Sequence, residues 1–319
     1  MSQDKLPTTV PVIIPSTVKA ARKRARELRW GKIPEGDVVA AQAWMTGLGV
    51  QAIATGGPFP GGDADGVFRV TVVGPWADKV QGQALVDRVA RAGLAMGYRL
   101  VEVAWSPFMP ADILRRAGWV REGLLPDLVS VRYTRRAEGR LGELFAVPLG
   151  QAVANAVVDR LHSHHGASRG SMWSVGIVDR QGVVHCVAQV GVVRARMLMS
   201  PTTAEVVRVA SDGTKNAASM ALSRCTAALF ALGYTRVVSY TILGESGHSY
   251  RVAGWWPTSL SAGGQWSRPS RARATAQQAL PKVRWEIGPG APKPSPAEAQ
   301  RLAEIIRDAV GVTDIPTRR

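Results

Sequence analysis

The sequence predicts an α/β chain of the α+β kind, a mixed sheet flanked by helices and duplicated in tandem. Three observations lead there. Apolar runs of strand length alternate with longer stretches of helical period along most of the chain. The length of 319 residues, with 46% hydrophobic and 20% charged, suits two domains with proper cores. Finally, a strand–helix–strand–helix unit at Val70–Trp119 returns without a gap at Val206–Trp255, a shift of 136 residues (206 − 70). Under that shift Arg88 meets Arg224, Gly97-Tyr98 meets Gly233-Tyr234, and Ala117-Gly118-Trp119 meets Ala253-Gly254-Trp255. Both copies keep a glycine-to-glycine spacing of 21 (118 − 97 and 254 − 233). Two copies are too few for a solenoid, so the unit is a duplicated domain.

Each element has its own signal. After an apolar run at Val10–Ile14, Ser16–Trp30 reads as a helix capped by Ser16. Lys19, Arg22, Lys23, Arg24, Arg26 and Arg29 make it basic on most faces, as a solvated surface or a nucleic-acid contact requires. Asp37–Gly47 reads as a second helix, and Gly56–Gly66, rich in Gly, Pro and Asp, as a loop. A strand (Val67–Val73), a helix (Val80–Ala95), a strand (Arg99–Trp105) and a short helix (Ala111–Ala117) follow. The second half opens with a strand at Leu144–Leu149 and a helix at Gly150–His162. Strands Met172–Val178 and Val183–Val193 form a hairpin through Asp179-Arg180-Gln181-Gly182. Next come a strand (Ala204–Ala210), a long helix (Ala217–Leu232), a strand (Arg236–Ile242), a short helix (His248–Ala253) and a strand (Val283–Ile287). Gly288–Pro296 links to an amphipathic helix at Ala297–Val310. The expected organisation is a basic extension (1–36), a first copy (37–140), a second copy (141–288), and a linker, short helix and tail (289–319).

Composition narrows the partners. Forty Lys and Arg against 24 Asp and Glu give +16 and a pI near 10.8. That excess favours nucleic acid first and an anionic cofactor second, or it is only a soluble basic surface. Cys186 and Cys225 lie inside apolar runs, which excludes a disulfide framework and a four-cysteine metal site. No basic-then-apolar leader opens the sequence, and no apolar stretch reaches the roughly 18–20 residues of a bilayer span. A soluble cytoplasmic protein without membrane contact is expected.

Ser249-Tyr250-Arg251-Val252-Ala253-Gly254-Trp255, set in this element order, resembles the GNAT acyltransferase superfamily. The resemblance places Tyr250 where that family has a tyrosine protonating the departing thiolate of coenzyme A; helix packing is its plain alternative. It also implies that the turn holding Gly213, Thr214, Lys215, Asn216, Ala217 and Ser219 cradles the pyrophosphate of an acyl-CoA donor, with Asn216 as N-cap. The usual Gln/Arg-x-x-Gly-x-Gly/Ala pattern is absent there, and an ordinary capped helix start is the alternative.

A narrower resemblance, over most of 145–287, is to Mom-type DNA-modifying proteins of phages and mobile elements. It rests on Val206–Ser219, which includes Arg208, on His162-Ser163-His164-His165, on Gly247-His248, and on Trp266-Ser267-Arg268-Pro269-Ser270-Arg271. It implies modification of a nucleobase exocyclic amine in DNA, with Arg208, His248, Trp266, Arg268 and Arg271 toward substrate. In the Mom pattern an acidic residue follows strand five, whereas here Tyr240 precedes Thr241 and Ile242. His162, His164 and His165 end a helix, where imidazolium is a natural cap; a general base or substrate contact is the functional alternative. No nearby carboxylate supports a metal site. Trp266–Arg273, with Lys282, Arg284 and Trp285 beyond, reads as phosphate contacts beside stacking surfaces, or as a solvated loop. In the first copy Leu114 takes the Tyr250 position and Pro75-Trp76-Ala77-Asp78 replaces the turn, so that copy reads as degenerate. Two further functions stay open: an N-acyltransferase for a small-molecule or protein amine, and a catalytically inactive nucleic-acid-binding protein.

Overall fold

The computed structural model describes residues 12–45, 49–58, 67–75, 80–105, 119–124, 131–136, 143–161, 170–262 and 280–310. The chain divides into two compact units near residue 140, each built on one seven-stranded sheet. In the first unit the order along the chain is β1 (Val12–Ser16), α1 (Val18–Glu27), β2 (Val39–Met45), β3 (Gly49–Pro58), β4 (Val67–Val73), α2 (Val80–Ala95), β5 (Leu100–Trp105), β6 (Val120–Leu124) and β7 (Val131–Arg136). The second has β8 (Leu144–Leu149), α3 (Gln151–Leu161), β9 (Ser171–Asp179), β10 (Val184–Val192), β11 (Thr203–Ser211), α4 (Ala217–Leu232), β12 (Arg236–Ile242), α5 (His248–Val252), β13 (Trp256–Ser261) and β14 (Lys282–Ile287). A last helix, α6 (Pro296–Ala309), follows a capping box at Ser295 and Glu298.

The two sheets have one topology. Strand order is β1-β2-β3-β4-β5-β7-β6 in the first and β8-β9-β10-β11-β12-β14-β13 in the second. Each contains a single parallel pair among its described strands, and the shift of 136 residues carries one register onto the other. Val67 pairs Leu100 and Val70 pairs Val103; Thr203 pairs Arg236 and Val206 pairs Ser239. The duplication seen in the sequence is thus a duplication of strand order and hydrogen-bond register.

Helices cover both faces of the second sheet. Ala154, Val157 and Val158 of α3 pack on Val187 and Ala210. Cys186, next to Val187, points the other way. It lies near Cys225 of α4, whose buried Ala217, Ala221, Leu222, Ala228 and Leu229 form the opposite layer. Among the described residues no helix is long and apolar enough to cross a membrane.

Several sequence expectations need correction. Residues 12–27, set apart as a basic extension, supply the first strand and first helix of the first sheet. The α1 cap is Thr17, whose side chain accepts from the Ala20 N–H at 3.2 Å, because Ser16 still belongs to β1. Ala21 and Ala25 are buried against Ile33, Ala40, Ile53 and Val73, so the helix has an apolar face beneath its basic ones. Asp37–Gly47 contains strand β2 rather than a helix. Its Ala40, Ala41 and Ala43 favour helix locally but are fully buried between flanking strands, and pairing overrides propensity. Strands β3, β6, β7 and β13 were not legible. Pro257 argues against a strand, yet β13 lies at the sheet edge, where a missing N–H is tolerated. The expected short helix at Ala111–Ala117 lies outside the described residues.

Candidate functional site

The parallel pair β11/β12 opens midway. Its hydrogen-bonded register stops at Val206 and Ser239, although β11 continues to Ser211 and β12 to Ile242. On the other side of β11 the pairing slips: Gln189 faces Arg208 and Val190 faces Val206, leaving Val207 as an extra residue. Such a bulge bends a strand and re-aims its side chains. In the first unit the parallel pair β4/β5 also stops, at Val70 and Val103, but β4 pairs β3 from Phe68 to Val73 with no slip, so among the described residues the bulge beside the opening belongs to the second unit.

One face of the opening carries a buried hydroxyl line. Ser239 Oγ donates to the Val206 carbonyl at 2.8 Å. Its single proton is thereby used, so the Tyr250 hydroxyl donates to Ser239 Oγ, also at 2.8 Å. The Tyr250 ring stacks on Trp285 at 5.3 Å and meets Trp255 edge-on at 5.6 Å. Gly247 is required beneath it: with φ 62°, a Cβ there would stand 2.0 Å from the Trp285 ring. Tyr250 is buried, and burial pushes its hydroxyl well above the ordinary range despite the Ser239 bond. It therefore stays protonated, poised where the strands part. At the matching positions the first unit has Val103 for Ser239 and Leu114 for Tyr250.

The opposite face carries charge. Cross-strand register puts Glu205, Val238 and Glu286 on one side, with Tyr240 opposite Arg284 and Ile242 opposite Lys282. The bulge brings Arg208 to that side as well. Glu205 is 6% exposed and accepts from the Arg194 backbone N–H at 2.9 Å. Burial raises its carboxyl above the usual range, against the pull of that N–H and of the charges on Arg194, Arg208 and Lys282. Arg208 and Lys282 are both lowered by burial. Glu286 is fully buried and saturated: Arg236 binds it at 2.6 and 3.0 Å, Arg284 at 2.8 Å and the Thr258 hydroxyl at 2.8 Å. Glu286 thus fixes the strands, while Glu205 is the carboxyl beside the opening.

The turn between β11 and α4 is largely satisfied from within. Gly213, with φ 93°, donates its N–H to Ser211 Oγ at 3.3 Å, and Thr214 N–H donates to Asp212 Oδ1 at 2.9 Å. Ala217 N–H reaches the Thr214 carbonyl at 3.1 Å. Asn216 is not an extended N-cap; it is left-handed (φ 68°) and joins the helix by its carbonyl, which accepts from Met220. The Ser219 hydroxyl donates to that same carbonyl, and Lys215 is exposed. His185 closes the turn against the hairpin: Nδ1 lies 2.8 Å from Asp212 and 3.0 Å from Thr214 Oγ1, and Nε2 lies 3.2 Å from Asp179. The two carboxylates, Asp212 first, raise the imidazole above its ordinary range.

Of the residues singled out in the sequence, Tyr250 and Arg208 flank the opening, and Gly213–Ser219 lie at the far end of β11. His248 is exposed at the start of α5, its N–H donating to Ser246 Oγ at 3.3 Å. His162, His164, His165, Trp266, Arg268, Arg271 and Leu114 lie outside the described residues. Trp285 is fully buried against Tyr250 and offers no surface to a base, and Arg284 is held by Glu286 and Thr258. Glu205 and Ser239 were missed. Glu205 had a signal, an acid inside the apolar strand Thr203–Ser211; Ser239 had none. Among the described residues no cluster of His, Cys, Asp and Glu could hold a metal.

No family model matches the chain, and no curated protein does. Among solved structures it is similar to an acetyltransferase from Salmonella typhimurium with acetyl-CoA, at 11% identity over 49% of this chain and 99% of that one (TM-score 0.35). It is similar also to a phosphinothricin acetyltransferase of the GNAT superfamily from Sinorhizobium meliloti, at 13% identity over 49% and 96% (TM-score 0.35). A third is an acetyltransferase from Bacillus subtilis in complex with CoA, at 11% identity over 36% and 76% (TM-score 0.27).

Proposed function

We propose that the second unit is a GNAT-like acyltransferase acting on an exocyclic amine of a nucleobase in DNA, and that the first unit is its inactive copy. One observation carries the reading: a hydroxyl line and a carboxyl with a raised pKa flank the same strand opening from opposite faces. Acyl transfer needs a proton taken from the attacking amine and one given to the leaving sulfur, which favours two groups on two sides. Unpaired strand edges past Val206 and Ser239 fit the amide-rich thioester arm of an acyl-CoA donor. At the turn, Asp212 takes the Thr214 N–H and Ser211 that of Gly213, which leaves the exposed Lys215 as the charge offered to its pyrophosphate.

When bound, the donor supplies an activated acyl carbonyl. Glu205 accepts the amine proton as the new C–N bond forms, and its raised pKa makes it a better base than an ordinary carboxylate. Tyr250 gives its proton to the sulfur as the C–S bond breaks. Ser239 then turns its O–H from Val206 to the phenolate, which makes it a positioning residue. The net charge of +16 and the Mom-type resemblance favour DNA over a small-molecule or protein amine. A catalytically inactive DNA-binding role is the second reading, favoured by the self-satisfied turn.

Mass spectrometry of nucleosides from DNA of cells expressing the protein tests the proposal. A new nucleoside carrying an acyl-type addition on its amine is expected. Unmodified nucleosides together with tight duplex binding would favour the second reading.

A further inference from the structure

On the charged face, strand register fixes which side chains border the opening. Glu205 pairs with Val238, one place before the last hydrogen-bonded pair of β11 and β12. Beyond that pair, the next residue of β12 on this face is Tyr240. On β11 the bulge brings up Arg208, since Gly191 opposite Glu205 and Gln189 opposite Arg208 lie two apart on β10. Lys282, opposite Ile242, stands about 7 Å further out along the strands. The closed end of the opening thus has a carboxyl, its two sides a phenol and a guanidinium, and its outer end an ammonium. These groups are close enough to feel one another: Arg208 and Lys282 both act on Glu205, and Glu205 acts on Tyr240. The shift of 136 residues gives the first unit Arg69, Val72 and Ala104 in place of Glu205, Arg208 and Tyr240.

Tyr240 differs from the aromatics behind it. Tyr250, Trp255 and Trp285 are buried and packed on one another, whereas Tyr240 is half-buried. Its hydroxyl accepts from Arg284, which Glu286 holds at 2.8 Å and Thr258 at 3.1 Å. A ring tethered in this way has little freedom left to lose when something flat settles on it. An alkylammonium also sits well on a phenol ring, but Arg208 and Lys282 would repel it. A neutral aromatic amine that carries a phosphate is instead drawn in by the same two charges.

We infer that Tyr240 is the platform on which the target nucleobase stacks, its exocyclic amine toward Glu205 and its phosphate on Lys282. The inference rests on the DNA reading above. Its test uses the full chain and two dye-labelled single strands of one length, one bearing bases and one of bare sugar–phosphate, compared by fluorescence anisotropy. The wild type should bind the base-bearing strand about tenfold more tightly, the worth of one stacked base. Tyr240→Leu should abolish that preference and Tyr240→Phe should keep it, a contrast that a ring serving only the fold would not produce. Lys282→Ala should weaken both strands alike and lower the salt slope by about one contact.

Equal binding of the two strands by the wild type overturns the platform whether or not the leucine variant folds. A preference that survives Tyr240→Leu overturns it as well. CoA binding that weakens in Lys282→Ala, while both strands bind as before, gives Lys282 to the donor and overturns its assignment to DNA. Modified nucleosides without a preference for bases would leave the transfer standing and remove the platform; a preference lost in Tyr240→Leu, with nucleosides unmodified, would do the reverse.

Discussion

At Tyr250, replacement by Phe removes the hydroxyl and leaves the ring stacked on Trp285 and edge-on to Trp255. Stability should fall by about 1 kcal/mol, the worth of one buried hydrogen bond to Ser239. Glu205→Gln separates function from folding more sharply, because the two effects have opposite sign. A carboxyl whose folded pKa is raised costs stability once ionised; the cost is absent at low pH and grows as pH rises through the folded value. The glutamine variant should therefore melt no lower than wild type at neutral pH. Its turnover should fall by roughly 10²–10⁴, and the rising limb of the pH–rate profile should vanish. A limb that survives in Glu205→Gln would assign the base elsewhere, with His162, His164 and His165 next in line. Of the hydroxyl line, Tyr250 was legible because Gly254-Trp255 marks its helix, whereas Ser239 shows its role only when register sets it beside Val206.

Among elements, the hairpin β9–β10 and the start of α4 are joined by one imidazole. His185 is held between Asp212 and Asp179 on facing strand ends, and both raise its pKa. A raised histidine stabilises the fold fully below its unfolded value, and the stabilisation is lost as pH rises through the folded value above it. Melting temperature should accordingly drop from slightly acid to alkaline pH more in wild type than in His185→Gln. Parallel curves would mean that the imidazole is neutral and the contact only a packing one. The hairpin itself was readable from Asp179-Arg180-Gln181-Gly182, since Asp179 accepts from Gln181 and Val183 N–H and Gly182 takes φ 84°. Strand β2 was not readable, because alanines carry a helical preference that only neighbouring strands reverse. Strand β13 was hidden by Pro257, which is harmless only at an edge.

For the whole molecule, the repeat read from glycines and aromatics corresponds to two sheets of one strand order and one register, so the architecture was legible where the elements within it were not. What separates the units is local: a bulge at Val207, a hydroxyl at Ser239 and a phenol at Tyr250, against an even ladder, Val103 and Leu114. The charge of +16 belongs to the same scale. Duplex binding should be modest at low salt and weaken steeply as salt rises, because bound phosphates release counterions. No measurable binding at low ionic strength would reduce that charge to composition. The central claim, that chemistry resides in the second unit at Tyr250, is tested most directly by quantifying modified nucleoside in DNA from cells expressing Tyr250→Phe or Leu114→Val at matched protein levels. The yield should collapse by roughly 10²–10⁴ in Tyr250→Phe and hold in Leu114→Val; wild-type yield from Tyr250→Phe would place the proton donor elsewhere.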